Sequence, residues 1–373
     1  MRYCFIILCF LSCTHLRKTG TSARINRLHF IGEYHLPYDL KFHNTTVGGL
    51  SGIDYDPESR QYYLISDDRS AINPARFYTA TIDLNEKGIQ QVQITNVTTL
   101  RRADGSVYPG SKQDPSGAPD PEAMRYNPVK KEFVWSSEGE RIIRSDSVVL
   151  EDPAIIAILP DGAYKDSFAL PPAFHMQGIE KGPRQNGVFE GLSFTDNFRS
   201  LLVSVEEPLY EDGPRAGLGD SSAWIRILRF DVDSRKPTGQ FAYRIDPVVH
   251  PASPSSAFKI NGVSDLLALN NHQVLVVERS FSTGIKPCTI RVFLAETDQA
   301  GDVSALPSLR QGNFHQVQKN LLLNMDELGI YIDNIEGVCL GPRLPDGRQT
   351  LVFVSDNNFS AAEVTQFLLF AIE

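Results

Sequence analysis

The sequence predicts an all-β fold, a β-propeller, and three observations carry that prediction. One pattern occurs five times: a carboxylate or small residue leads into a short apolar strand, a polar turn follows, and a second β-rich strand ends in acids. Its copies begin at Gly49, Glu122, Glu190, Ser264 and Glu336, at intervals of 73, 68, 74 and 72 residues, and β units of so regular a period mark a propeller or another repeat architecture. Glu122, Glu190 and Glu336 open three copies, while Gly49 and Ser264 take the equivalent place in the others. The third observation concerns the ends: the last copy supplies three strands instead of four, and the chain begins with a strand that has no neighbour in sequence.

In chain order, Arg2 precedes the apolar run CFIILCFLS, Cys4 to Ser12, which is too short to span a bilayer and reads as the core of an export signal over residues 1–12. Cys13 follows an imperfect lipobox, with Ser12 before it and Leu11 ahead of that. Three outcomes stay open: a lipidated Cys13 with residues 13–23 as a tether in a periplasmic or cell-envelope lipoprotein, ordinary secretion, or an uncleaved core segment. A single propeller domain is expected over residues 24–373. Arg24 to Pro37, RINRLHFIGEYHLP, reads as a strand, and pairing it with Thr365 to Glu373 would close the ring and remove two sheet edges.

The first unit gives GLSGIDYD, QYYLISDD, ARFYTATIDL and GIQQVQITNVTTL, divided by the turn residues Asp56-Pro57, Asn73-Pro74 and Asn85 to Gly88. The second gives EAMRYN, KEFVWSSEG, a less regular VVLEDPAIIAILPDG and SFALP. Ahead of it, Ala103 to Pro121 is rich in Gly, Pro, Ser and Asp and forms a loop long enough to cover one mouth. The third gives GLSFTD, SLLVSVEEP, WIRILRFDVD and QFAYRIDP, with an insertion at Leu209 to Ser222. The fourth gives SDLLALN, HQVLVVERS, CTIRVFLAET and QVQKNLLLN, with a loop at Asp298 to Asn313; the fifth ends with TQFLLFAIE. Five blades are counted, and a sixth stays open if a loop region hides a degenerate one.

Composition narrows the function. A net charge of −9 and a pI near 5.5 argue against a general nucleic-acid binder and suit cation binding. Beyond the amino-terminal segment only Cys288 and Cys339 remain, expected in strands of different blades, so two buried free thiols are expected rather than a disulfide. None of the 8 histidines forms HExxH, and GxSxG, the phosphate loop and GxGxxG are absent from strand-to-helix settings.

With the first strand of each unit innermost, Glu122, Glu190 and Glu336 face one mouth of the channel. The ends of the second strands add Asp67, Asp68, Glu138, Glu206, Glu207, Glu278, Asp356 and Asn357 to that rim. Converging carboxylates repel one another unless cations sit between them or some are protonated. Oxygen ligands in number favour Ca²⁺, with Mg²⁺ as the alternative. The competing reading is that these acids cap strands or pair with Arg69, Arg125 and Arg279. Beside a divalent cation, Arg69 and Arg279 offer the fork that a phosphate ester requires, with water activated by the cation as nucleophile.

In GGLSGIDYD with YYLISDDR and ARFYTATIDL, PEAMRY, EGLSFTDN with LLVSVEEP, VSDLLAL with VLVVERS, and NIEGVCLG with LVFVSDNN, the chain resembles the phytase-like family from Gly48 to about Glu373. The resemblance implies an exported propeller that hydrolyses phosphate esters. It carries Glu122, Glu190, Glu336, Asp67, Asp68, Arg69, Glu206, Glu207, Glu278, Arg279, Asp356 and Asn357 as matches to the family's acidic motifs. The second unit departs by ending in WSSEGE, and the fourth by Ser264-Asp265 where three others have Glu-Gly or its counterpart.

The expectation is therefore a monomeric, extracytoplasmic, metal-dependent phosphoesterase acting on a small phosphorylated substrate, with Glu190, Glu336, Arg69 and Arg279 catalytic. The alternative is a non-catalytic envelope propeller that binds a ligand or protein partner. A lactonase or another calcium-dependent esterase is a third reading.

Overall fold

The computed structural model describes residues 25–219 and 223–373; the expected export signal, Cys13 and the tether lie outside the described residues. Strand β1 (Leu28–Leu36) comes first, then a small hairpin of β2 (Lys41–Phe42) and β3 (Thr45–Thr46). The first blade is β4 (Leu50–Asp56), β5 (Gln61–Ser66), β6 (Arg76–Asn85) and β7 (Gly88–Thr99). In the second region β8 (Pro121–Asn127) and β9 (Glu132–Ser137) lead into a side hairpin of β10 (Glu140–Ile143) and β11 (Val148–Glu151), and β12 (Ala154–Ile158) and β13 (Tyr164–Ser167) complete the blade.

The third blade is β14 (Phe189–Thr195), β15 (Ser200–Val205), β16 (Trp224–Asp231) and β17 (Lys236–Arg244). The fourth is β18 (Lys259–Ala268), β19 (Gln273–Ser282), β20 (Thr289–Glu296) and β21 (Gln318–Asn324). In the fifth, β22 (Asn334–Arg343), β23 (Gln349–Asp356) and β24 (Thr365–Ile372) are completed by β1, which pairs antiparallel with β24 from Leu28↔Ile372 to Leu36↔Thr365. The expected closure of the ring by its two ends is therefore present, and the described residues form five blades without a sixth.

Two expectations in the second blade change. VVLEDPAIIAIL is two strands, not one: Val148–Glu151 folds back on Glu140–Ile143, and Asp152-Pro153 breaks the chain before β12. The outer strand is Tyr164–Ser167, because the Pro171-Pro172 pair that follows cannot supply ladder donors.

Each blade lies between two others, so its middle strands are buried on both faces and read as unbroken apolar runs, as in LLVSV of β15 and LVFV of β23. One apolar core fills each of the five gaps. Leu64 and Tyr78 meet Val352 and Phe367 between the first and fifth blades, and Ile65 and Phe77 meet Phe133 and Trp135 between the first and second. Val134 meets Val203, Ile227 meets Val276, and Val277 meets Phe353 in the other three. Hairpin turns inside the first two blades share one chemistry. Asp56 and Asn127 each accept backbone N–H bonds from two and three residues on, and Arg60 and Lys131 take the left-handed backbone that returns the chain. Cys339 is buried in β22 and Cys288 half-buried ahead of β20, both as free thiols.

Candidate metal centre

The innermost strands β4, β8, β14, β18 and β22 touch one another in turn around the axis. Every one of them is interrupted at the same point by a β-bulge in its pairing with the second strand, at Ser51, Glu122-Ala123, Glu190-Gly191, Ser264 and Glu336. A bulge adds a residue that the ladder cannot pair and re-aims its side chain. Glu122, Glu190 and Glu336 thereby point into the channel mouth. The equivalent place in the first blade is Ser51, two residues beyond the expected Gly49, which instead holds a left-handed turn beside the Phe359 ring. The two serines turn sideways as staples: Ser51 Oγ donates to the Glu122 carbonyl at 2.6 Å, and Ser264 Oγ to the Ile335 carbonyl at 3.0 Å.

Glycine follows Glu190 and Glu336 because the inner strands almost touch there, whereas Ala123 follows Glu122. A Cβ on Gly191 would lie 2.5 Å from Leu266 N, and one on Gly337 3.0 Å from Ile53 N. One step outside the bulges, the ends of the second strands add a second ring: Asp67, Glu138, Glu206, Arg279 and Asp356. All of these but Asp356 line, with the three glutamates, a cavity of about 360 Å³ whose outer wall includes Lys286, Tyr331 and Asn334. Loop residues 103–119 contribute nothing to its lining.

The cavity holds far more acid than base. Among the described residues, no ion pair reaches Asp67, Glu122, Glu138, Glu190 or Asp356, whereas Arg279 lies 3.0 Å from Glu206 and 3.6 Å from Glu336 and donates to Asn334 Oδ1 at 2.7 Å. Burial, then the neighbouring Glu190 and Asp67, push the Glu122 carboxyl well above the ordinary range. Burial, then Glu138 and Glu206, do the same to Glu190, and burial with Asp120 and Asp356 to Asp67. Asp120, just ahead of β8, is pushed up to about 6 by burial against the pull of Arg69. Burial opposes the charge on Arg279, but Glu336 and Glu206 more than offset it and hold its pKa above the ordinary value. The donors are all oxygen, and two groups, Asp67–Asp120–Glu122 and Glu122–Glu138–Glu190, each bring three carboxylate oxygens within 4.8 Å of one another. That donor set fits a hard divalent cation.

The profile of the phytase-like family, described as esterase-like activity of phytase, matches residues 45–359. This chain belongs to the phytase-like family. No curated protein matches it. Among solved structures it is similar to an exo-β-1,3-galactanase from Phanerochaete chrysosporium at 12% identity and TM-score 0.49, covering 92% of this chain and 65% of that one. The phytase-like chain thus spans about two thirds of the galactanase's length. It is also similar to the periplasmic gluconolactonase of Pseudomonas aeruginosa, at 12% identity and TM-score 0.37 over 88% of this chain and 86% of that one. A third likeness is a protein of unknown function from Dyadobacter fermentans, at 10% identity and TM-score 0.42 over 94% and 100%.

In this phytase-like propeller most of the remaining expected residues stand apart from the cavity, several of them because neighbours on an extended chain point opposite ways. Asp67 faces the cavity, but Asp68 turns outward to Arg76 at 2.7 Å and accepts the N–H groups of Ala71, Ile72 and Asn73. Glu206 faces in, but Glu207 turns to Arg215 at 2.8 Å, and burial and Glu206 push it up to about 8. Glu278 accepts from Tyr243, Asp246 N and Asn261 and pairs with Lys319, which leaves its ring position to Arg279. Asp356 stays near the cavity, accepting from Asn358 N, while Asn357 receives the N–H of Gly49 and Phe359. Arg69, expected to grip phosphate, is held by Glu140 and lies 3.4 Å from Asp120. Arg125, weighed as a partner of the glutamates, turns to Asp265. Conversely, two acids of the carboxylate groups lie outside the expected set: Asp120 in the stretch whose sequence reads as loop, and Glu138 in the rim but not among the acids that the resemblance carries. The place of Glu138 directly after EFVWSS, as Asp67 follows QYYLIS and Glu206 follows SLLVSV, is the available signal.

Proposed function

We propose that this protein is a metal-dependent phosphoesterase working outside the cytoplasm on a small phosphorylated molecule, with Ca²⁺ as its ion. The observation that carries the reading is the cavity itself: buried carboxylates with no basic partner face one arginine across about 360 Å³. Asp67, Glu122, Glu138 and Glu190 would hold the cation. When bound, a divalent cation supplies positive charge to phosphoryl oxygens and acidity to water. Arg279, positioned by Glu206, Glu336 and Asn334, donates to the phosphoryl oxygens as their charge develops. Glu336, whose carboxyl is raised by burial, would protonate the departing oxygen. Lys286 at the outer wall adds attraction for an anionic substrate. The export reading rests on the apolar run Cys4 to Ser12, and a lipidated Cys13 would anchor a monomeric propeller to a membrane surface.

The test is release of p-nitrophenol from mono- and bis-p-nitrophenyl phosphate by the purified mature protein, with and without Ca²⁺. Turnover that needs the ion and is lost in Glu190→Gln supports the phosphoesterase and ranks the two ester classes. Absence of turnover on both esters in the presence of bound metal would overturn it in favour of a ligand-binding propeller.

A further inference from the structure

The two carboxylate groups at the mouth share one member. Asp67, Asp120 and Glu122 bring three oxygens within 4.8 Å of one another, and so do Glu122, Glu138 and Glu190. Cation–oxygen distances of about 2.3–2.6 Å for Ca²⁺ place opposite ligands about 5 Å apart, so each group matches the span of one ion. Glu122 is more than nine-tenths buried, its side chain accepts no hydrogen bond and meets no cation among the described residues, and it is aimed at both groups by the bulge in β8. A buried carboxylate without a partner is the costliest arrangement a protein can keep.

We infer that the mouth binds two divalent cations side by side, with Glu122 as the ligand they share. Asp67 and Asp120 complete one site, and Glu138 and Glu190 the other. Charge supports more than one ion: when ionised the five carboxylates carry five negative charges, Arg69 beside Asp120 is shared with Glu140, and a single divalent cation would leave at least two of those charges unmatched. Arg279 does not enter this balance, because Glu206 and Glu336 already flank it. A two-ion site is also the arrangement that clamps both the entering and the leaving oxygen of a phosphoryl transfer. The inference rests on the metal-binding half of the proposed function, not on its substrate.

The experiment counts ions. The intact purified protein is stripped with chelator, dialysed against Ca²⁺ and measured by elemental analysis and titration calorimetry, with circular dichroism confirming the fold of each variant. Two Ca²⁺ per chain are expected for the wild type, one for Asp120→Asn, one for Glu138→Gln, and none retained at the same free Ca²⁺ in Glu122→Gln. One Ca²⁺ in the wild type, or Glu122→Gln keeping one ion, overturns the shared ligand while leaving a metal-dependent phosphoesterase standing. No Ca²⁺ in the wild type overturns both.

Discussion

Arg125 donates to both carboxylate oxygens of Asp265, at 3.0 and 2.8 Å, in the middle of the ring. The same guanidinium donates to the carbonyls of Ile53, Leu192, Leu266 and Val338, so one side chain from β8 reaches all four other innermost strands. Asp265 in turn accepts the N–H of Val338. This explains why the fourth blade departs from Glu-Gly. Its carboxylate belongs to the floor of the channel rather than to the acid ring above it.

Removing one partner of a buried ion pair leaves the other charge without compensation, at about 3–5 kcal/mol. Arg125→Met is expected to lower unfolding stability by that amount in urea, and the double variant Arg125→Met/Asp265→Leu to recover part of it. A single variant as stable as the wild type would remove the hub from the account.

Gly191→Ala tests how closely the innermost strands approach. The new methyl would lie 2.5 Å from Leu266 N and 2.8 Å from Ser204 Oγ, and neither backbone nor bulge can yield without shifting a blade. A loss of at least about 1–3 kcal/mol is expected, read as a lower melting temperature, with the far-ultraviolet spectrum still β.

Arg279→Gln removes the one guanidinium that lines the cavity among the described residues. Charge-assisted bonds to an anion contribute about 1.5–3 kcal/mol, so kcat/KM toward p-nitrophenyl phosphate should fall about 10- to 100-fold. Unchanged kinetics would show that Arg279 serves only to pair Glu206 and Glu336.

Stability without metal should fall as pH rises. Asp120 is raised by burial to about 6, and Asp67, Glu122 and Glu190 are raised as well, so the folded state holds protons that the unfolded chain releases near pH 4. The stability these groups allow is therefore full below about pH 4 and is lost as pH climbs through about 6. Melting in chelator across pH 4 to 7 should show that decline, and Ca²⁺ should reverse it by replacing the protons. A melting temperature in chelator that rises over this range would contradict the raised carboxyls.

The repeat, the blade count and the closure of the ring could be read from the sequence because they rest on local patterning: apolar runs, Asp-Pro and Asn-Pro turns, and one missing strand matched by one spare. Glu122, Glu190 and Glu336 were legible for the same reason, since each follows a fixed offset within its repeat. The partition of the strand-end acids was not. Asp67 and Asp68, or Glu206 and Glu207, are equivalent as residues, and only the register of the ladder decides which faces the channel. Nor could spacing show that Glu140, at the start of the side hairpin, would claim Arg69. Contacts of that kind depend on how a hairpin outside the repeat folds back over its neighbour.

The pairing of β1 with β24 also sets a timetable for folding. Four blades can form as their strands leave the ribosome, each from a contiguous stretch, but the fifth needs Leu28 to find Ile372 at the other end of the domain. Contacts between such distant positions form late and slowly. Until the 8 residues of Thr365–Ile372 arrive, β1 and β23 each present an open edge, the kind of surface on which chains aggregate and proteases act. A truncation that removes only that last strand would leave every cavity residue in the chain, yet its polypeptide would be cleared as unfinished.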